Sequence, residues 1–176
     1  QNHPHAEMYA ICQRSPGKLH ELGEAFGVGV RYTKFEDVLV DPNVDAIVFA
    51  TPAELHAEHA VAGLEAGKHV LVEKPMALTE ADARKVANAA ERSDRVFLCG
   101  HLMLYHPAVE RLGELVASGE LGDILYMYAL RVNLGRIRHN ENALWSLAPH
   151  DVSVFDYLLK QAPVSVSARG GAYLQK

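Results

Sequence analysis

Two short apolar runs, residues 45–50 and 70–72, are separated by a segment in which apolar residues recur at helical spacing. The turn Thr51-Pro52 closes the first run, and Gly67 precedes the second. Short apolar runs bounded by turn residues are typical of parallel strands buried on both faces. A strand, a helix and a second strand within about thirty residues form one βαβ unit. The pattern therefore predicts a parallel sheet with a crossover helix.

The same alternation continues over the first hundred residues. Strands are predicted at residues 7–12, 30–32 and 95–100, and helices at residues 15–26, 34–40 and 79–92. Alternating strands and helices are typical of a doubly wound α/β sheet. The sequence therefore predicts a Rossmann-type domain over residues 1–102.

The pattern changes in residues 103–176. A helix at 106–118 is followed by a longer, aromatic-rich strand at 124–132, a helix at 151–159 and a strand at 164–168. Longer strands with mixed polarity favour an open, mostly antiparallel sheet. This region is predicted to be part of an α+β substrate domain.

Composition narrows the class of protein. The 176 residues are 49% hydrophobic and carry a formal charge of −5, which fits a globular protein and disfavours a nucleic-acid partner. No apolar run is long enough to cross a membrane, so a cytoplasmic location is expected. Cys12 and Cys99 lie in apolar runs and are interpreted as buried, reduced thiols. No metal-ligand spacing is present, and no metal is expected.

The tripeptide Glu73-Lys74-Pro75 directly follows the predicted strand at residues 70–72. In open parallel sheets, ligands bind outside the carboxyl ends of the strands. A lysine held between a carboxylate and a proline at that edge is well placed to touch a substrate. The alternative is a lysine that only extends its ammonium group into solvent from a strand end.

Three motifs occur in order: Ala50-Thr51-Pro52, the segment from His56 to Val70, and Glu73-Lys74-Pro75. Together they resemble the Gfo/Idh/MocA family of NAD(P)-dependent sugar oxidoreductases. In that family a glycine-rich phosphate loop precedes the segment that matches residues 8–12, and this sequence contains no G-x-G-x-x-G. The resemblance implies a preceding βα unit and further substrate-domain strands after residue 176. The chain by itself is expected to hold a dinucleotide poorly and to be inactive.

The resemblance also implies two catalytic residues. The family lysine that matches Lys74 contacts the reacting hydroxyl, and an ammonium group there stabilises charge that develops on oxygen. The family's D-x-G-x-H motif places a general acid/base at His150, although Ser146 and Ala148 replace its aspartate and glycine. His150 is predicted at or just before a helix N-terminus, and the alternative is a histidine that only caps that helix.

The cofactor implied by the resemblance is NAD. Gln13 stands where an acidic residue commonly binds the ribose diol, and Arg14 with Ser15 could receive a 2′-phosphate, so NADP stays open. The residues expected to bind the cofactor lie at the ends of the predicted strands: Gln13, Arg14, Ser15, Thr51, Pro52, His56, Glu73, Lys74 and His101.

The substrate implied by the resemblance is a nucleotide sugar. The run from Arg131 to Arg138, with the later segment around His150, is similar to the branch that oxidises UDP-N-acetylglucosamine-type sugars at C3 in polysaccharide biosynthesis. Arginines hold diphosphates by forked, charge-assisted hydrogen bonds. The expected substrate-binding residues are Tyr105, Arg131, Asn133, Arg136, Arg138 and Asn140.

Three alternative interpretations of these residues remain open. The arginines could be guarding charges on a solvated strand edge. The substrate could be inositol or a free sugar, which needs no diphosphate site. The scaffold could also sense a sugar nucleotide without catalysis. A homo-oligomer that forms through the substrate-domain sheet is expected as well.

Overall fold

The computed structural model describes residues 4–132 and 142–171, with only the backbone described at Ala143. The chain forms two compact units that divide between Gly100 and His101. The first unit carries all the strands found in the described residues.

Five strands form in the described part of the first unit: β1 (Ala10–Cys12), β2 (Val30–Tyr32), β3 (Ala46–Phe49), β4 (His69–Val72) and β5 (Phe97–Cys99). All the pairings are parallel. β1 pairs with β2, and β4 lies between β3 and β5. The predicted parallel α/β architecture is therefore confirmed.

Helices connect these strands: α1 (Pro16–Phe26), α2 (Phe35–Val40), α3 (His56–Glu65) and α4 (Glu80–Ser93), with a 3-10 turn at Ala53–Leu55. The predicted start of α4 is confirmed, because the Thr79 hydroxyl accepts a hydrogen bond from the Asp82 amide at 3.1 Å and donates one to its carboxylate at 2.7 Å. α1 begins with Pro16 and is capped at its carboxyl end by Gly27, whose φ of 66° favours glycine.

The core of the first unit lies between β3–β5 and the helices α3 and α4. Its buried members come from both layers: Phe49, Ala60, Leu64, Val70, Val72, Val86 and Ala89. Gly63 allows α3 to approach β4 closely, because a Cβ atom there would lie 2.9 Å from Cγ2 of Val70. This close packing positions α3, and with it the turn that precedes α3, relative to β4.

The prediction that the strands are buried on both faces is wrong for β3. Val48 pairs with Leu71, and Leu71 pairs with Leu98, so these three side chains form one row across the sheet. Val48 is 69% exposed and Leu98 is 38% exposed. The reason is that α3 and α4 cover the opposite face, which carries Phe49 and Val70.

The cysteines differ from each other. Both are free thiols, but Cys12 is exposed while Cys99 is partly buried. The expected burial of Cys12 is wrong because it is the last residue of β1, which pairs with β2 alone among the described strands.

The second unit contains a 3-10 turn at Leu102–Tyr105, α5 (Pro107–Ala117) and α6 (Ala143–Leu159). α5 begins where Nδ1 of His106 accepts a hydrogen bond from the Ala108 amide at 3.2 Å. α5 and α6 pack closely, since a Cβ atom at Gly113 would lie 2.6 Å from the Tyr157 hydroxyl oxygen.

The predicted strands at residues 124–132 and 164–168 are wrong for the described residues, where neither segment forms a strand. Leu125 is 89% exposed and Val164 is fully exposed. A strand exists only with a hydrogen-bonded neighbour, and no described residue of this unit supplies one. The predicted antiparallel sheet is therefore not formed in this part of the chain.

The predicted start of the last helix is also wrong. α6 begins at Ala143 rather than near Asp151, because the Asn142 side chain accepts a hydrogen bond from the Trp145 amide at 3.0 Å and caps the helix there. Pro149 and His150 therefore lie inside the helix, and the prediction that His150 lies at or just before its N-terminus is wrong. No helix in the described residues is long and apolar enough to span a membrane.

Candidate functional site

The carboxyl ends of β3, β4 and β5 bring three turns to one edge of the sheet. The Glu73 amide donates to the Phe49 carbonyl at 3.0 Å, and the Gly100 amide donates to the Val72 carbonyl at 2.8 Å. The ladder therefore continues one residue beyond each strand. Thr51-Pro52, Glu73-Lys74 and Gly100 consequently leave the sheet at the same level, where open α/β sheets bind ligands.

The Glu73 carboxylate packs against the backbone at the end of β5. A Cβ atom at Gly100 would lie 3.2 Å from Oε2 of Glu73, so glycine leaves room for the carboxylate. Burial raises the pKa of the neighbouring Cys99 thiol, and the negative charge of Glu73 raises it further. These contacts fix the direction in which the chain leaves β4.

Lys74 is half-buried and is the second residue beyond the end of β4. The peptide bond between Lys74 and Pro75 is cis, and Pro75 is buried. The lysine therefore lies at the carboxyl edge of the sheet, between Glu73 and a fixed proline. This is the placement that its proposed contact with a substrate hydroxyl requires.

His56 is the first residue of α3, and its side chain is 2% exposed. Its Nδ1 atom lies 2.8 Å from the Pro75 carbonyl oxygen, and its Nε2 atom lies 2.7 Å from the Thr51 carbonyl oxygen. Both ring nitrogens are therefore engaged by the protein backbone. The expectation that this side chain binds the cofactor directly needs correction, because both ring nitrogens already bond the backbone. The ring could affect a bound cofactor only by positioning that backbone.

His59 was not singled out from the sequence, but it lies beside the Thr51 turn. Its Nδ1 atom is 3.5 Å from the Thr51 hydroxyl oxygen, and its ring contacts Phe35 and Phe49. Burial lowers the pKa of His59. The signal in the sequence was its position three residues after His56, which places both on one helix face.

The three residues expected at the adenosine ribose follow β1. The Gln13 amide donates to the Tyr32 carbonyl at 3.0 Å, which continues the pairing of β1 with β2. Arg14 is exposed, and Ser15 occupies the cap position of α1 without a side-chain capping bond. The Arg14 and Ser15 side chains thus lie at the carboxyl end of β1.

In the second unit, His101 precedes the 3-10 turn and Tyr105 is the last residue of that turn, which packs against α6. Burial lowers the pKa of His101. Its Nδ1 atom is buried without a hydrogen-bond partner among the described residues. Tyr105 is 61% exposed. A buried, unsatisfied ring nitrogen is uncommon in folded proteins and is a place where a ligand can supply the missing bond.

His150 lies within α6, one turn after Ser146. It is half-buried, and its carbonyl accepts a hydrogen bond from the Ser153 hydroxyl at 2.8 Å. Residues four apart on a helix lie on the same face. Ser146, which replaces the family aspartate, therefore shares a face with His150.

Arg131 donates hydrogen bonds to both carboxylate oxygens of Asp151, at 2.8 to 3.0 Å. This forked pair raises the pKa of Arg131. Two nitrogens of the guanidinium group are therefore paired with a residue of α6. Four other expected substrate residues lie outside the described residues: Asn133, Arg136, Arg138 and Asn140. Within the described residues, no group of three or more His, Cys, Asp or Glu side chains is arranged to hold a metal ion.

Parallel strands that end in a threonine-proline turn and a lysine-proline turn define a Rossmann-type protein. The model of the Gfo/Idh/MocA oxidoreductase family, described as having an NAD-binding Rossmann fold, matches residues 1–101. The chain belongs to this family. The resemblance inferred from the motifs is thereby confirmed, and so is the expected NAD-binding character of the fold.

Three similar proteins illustrate the range of the family. The chain is 31% identical to 4-carboxy-2-hydroxymuconate-6-semialdehyde dehydrogenase from a Sphingobium strain, over 86% of this chain and 50% of that protein. It is 26% identical to inositol 2-dehydrogenase from Salmonella typhimurium, over 88% of this chain and 47% of that protein.

Among solved structures, the WlbA dehydrogenase from Bordetella pertussis in complex with NADH and UDP-GlcNAcA aligns with a TM-score of 0.75 and 26% identity. The alignment covers 88% of this chain and 48% of that one. The chain thus spans about half the length of these three proteins.

Proposed function

We propose that the protein carrying this chain is an NAD(P)-dependent dehydrogenase that oxidises a hydroxyl group of a sugar or polyol. The main support is the placement of Lys74 at the carboxyl edge of β4, next to the Thr51 turn that His56 ties to it. Family membership supports the same reaction class.

In the proposed reaction, the protein takes the proton of the alcohol O–H bond, and the hydride of the C–H bond passes to the cofactor. When bound, NAD(P) would supply the acceptor for the hydride, which carries both electrons of the substrate C–H bond. The Lys74 ammonium group stabilises the negative charge that develops on the alcohol oxygen. His150 accepts the hydroxyl proton as general base, which leaves a carbonyl group on the substrate.

Each unit contributes groups whose chemistry suits a bound dinucleotide. The Nδ1 atom of His101 is buried without a hydrogen-bond partner in the described chain and could be satisfied by a ligand. We assign Gln13, Arg14 and Ser15 to the adenosine side, Thr51, Pro52, Glu73 and Lys74 to the strand ends, and His101 to the nicotinamide side. NAD is the proposed cofactor, and exposed Arg14 would also accept NADP.

We propose a nucleotide sugar, of the UDP-N-acetylamino sugar or uronate type, as the substrate. The likeness to a dehydrogenase solved with UDP-GlcNAcA supports this class. The arginine-rich segment that begins at Arg131 would hold the diphosphate. Tyr105, Asn133, Arg136, Arg138 and Asn140 complete the proposed substrate site.

An inositol or free-sugar substrate is the second candidate. The fork between Arg131 and Asp151 favours it, because a guanidinium already paired with a carboxylate has less capacity for a diphosphate. The likeness to inositol 2-dehydrogenase supports the same class.

The protein is further proposed to act in the cytoplasm as a homo-oligomer. The support for oligomerisation is the exposure of large apolar side chains along residues 124–132, where Leu125 is 89% and Tyr128 is 80% exposed. Contiguous exposed apolar surface marks association sites. Sedimentation of the full-length protein would test this, and a monomer at all concentrations would contradict it.

Reduction of NAD and of NADP by the full-length protein, measured as absorbance of the reduced nicotinamide, tests the proposed reaction. UDP-N-acetylglucosamine, its uronate, and inositol serve as substrates. Turnover with the nucleotide sugars but not inositol is expected. Turnover with inositol alone would select the second candidate. Cofactor binding without turnover on any of these would favour a non-catalytic sensor.

A further inference from the structure

The ring of His56 joins two backbone segments that are far apart in the chain. Its two nitrogens bond the carbonyl oxygens of Thr51 and Pro75, at 2.7 and 2.8 Å. Thr51 belongs to the turn after β3, and Pro75 directly follows Lys74. One buried side chain therefore connects the proposed cofactor turn to the proposed catalytic lysine.

The chemistry of the partners fixes the chemistry of the ring. A backbone carbonyl oxygen only accepts hydrogen bonds, so each nitrogen must carry a proton for both bonds to form. The ring with two N–H groups is the imidazolium ion. Both distances lie in the range of about 2.7–2.9 Å that is typical of charge-assisted bonds, shorter than the usual value for neutral N–H donors.

A neutral ring would leave one of these contacts without a proton. Two lone pairs would then face each other in a side chain that is 2% exposed, with no solvent to replace the lost bond.

We propose that His56 is a positioning residue: its doubly protonated ring fixes the Thr51 turn against the Lys74-Pro75 segment and so sets where the lysine lies relative to the cofactor. The effect on the reaction rests on the proposed dehydrogenase function. The clamp, by which we mean the two hydrogen bonds that the ring donates to the carbonyl groups of Thr51 and Pro75, does not. A histidine that only filled space at the start of α3 would not need hydrogens on both nitrogens.

Two substitutions separate the two bonds. The amide nitrogen of His56→Asn lies near the place of Nδ1 and can keep the Pro75 bond. The amide nitrogen of His56→Gln reaches the place of Nε2 and can keep the Thr51 bond. In the full-length protein, H56Q is expected to lose about tenfold or more in turnover, since the lysine segment is released. H56N is expected to keep most of the turnover and to raise the KM for the cofactor.

His69→Asn is the matched control. His69 also uses its ring to bond the backbone, since its Nδ1 atom accepts from the Val96 amide at 2.9 Å, but it lies at the opposite end of β4. H69N is expected to change the melting temperature, with no selective effect on turnover or on the cofactor KM. If H56N and H56Q change turnover and the cofactor KM to the same extent, in proportion to their loss of stability, the positioning role is overturned.

The clamp itself is read from ¹⁵N–¹H correlation spectra of the histidine rings in the full-length protein at the assay pH. Two protonated ring nitrogens are expected for the signals that disappear in both His56 variants. A single protonated nitrogen overturns the clamp, whatever the kinetics show. If the wild type has no turnover with any of the substrates above, the proposed function fails, and these spectra still decide the clamp.

Discussion

Arg131 holds both carboxylate oxygens of Asp151, the residue that directly follows His150 on α6. The side chains of Arg131 and Asp151 are 36% and 24% exposed, so the pair is partly shielded from solvent. This geometry gives Arg131 two possible uses. It either stabilises the position of α6 beside His150 or binds the negative charge of an anionic substrate.

Replacing each partner separately distinguishes the two uses. If Arg131 binds a diphosphate, Arg131→Ala should raise the substrate KM, whereas Asp151→Asn should lower it because the guanidinium is released. If the pair only braces α6, both variants should lower turnover in the same direction. Steady-state kinetics with a UDP-sugar and with inositol provide the measurement. The distinction requires a substrate with and a substrate without negative charge.

Lys74→Ala in the full-length protein should lower turnover far more than cofactor affinity. Loss of one charged donor to a developing alkoxide should cost about 3 kcal/mol, or roughly a hundredfold in rate. Lys85→Ala is the control, because Lys85 is an exposed lysine of α4 paired with Asp82. Unchanged turnover in K74A would make Lys74 a lysine that only extends into solvent.

His150 should appear in the pH profile of oxidation. Only a neutral imidazole accepts the alcohol proton, so kcat/KM should rise with pH through one ionisation near neutrality. His150→Asn should remove this ionisation while substrate still binds. The His69→Asn variant should keep it. A profile in H150N that equals the wild type would exclude His150 as the base.

Ser146→Asp should move that ionisation upward. Ser146 lies one helical turn before His150 on α6, so a carboxylate there can face the imidazole. A negative charge stabilises the imidazolium form and raises its pKa. Ser146→Asn is the uncharged control and should leave the ionisation in place. An upward shift with asparagine as well would argue against an electrostatic cause.

The parallel strands were predictable because their signals are local. Residues 30–32 were expected as a strand and form β2, and the apolar run at 45–50 contains β3 at Ala46–Phe49. Apolar runs between turn residues leave few other structures open. The edge that carries Lys74 follows from the same pattern, since parallel strands place their carboxyl ends together.

The His56 clamp was not predictable from residue types. Both of its partners are backbone carbonyl groups, which every residue carries, so no partner side chain marks the contact in the sequence. α6 was placed wrongly for a related reason. The sequence predicts the helix start near His150, but the hydrogen bond from the Trp145 amide to the Asn142 side chain fixes the start earlier.

Leu64→Ala should destabilise the first unit strongly. Leu64 is 1% exposed and packs within the core between α3, α4 and the sheet. Truncation of a buried leucine costs about 2–5 kcal/mol, because it leaves a cavity. Leu121→Ala is the control, since Leu121 is 53% exposed and should cost about 0.5 kcal/mol or less. Denaturant unfolding measures both, and equal losses would contradict the described core.

His59 should make the protein less stable in mild acid. Burial lowers the pKa of His59 below its unfolded value of about 6.5, so the folded state binds this proton less readily than the unfolded state. Stability therefore rises with pH between the folded and the unfolded pKa, and it is lost as pH falls below about 6.5. His59→Phe keeps a ring against Phe35 and Phe49 but cannot titrate. The urea midpoint of H59F should fall less than that of the wild type between pH 7 and pH 5, whereas parallel curves would show that His59 does not carry this dependence.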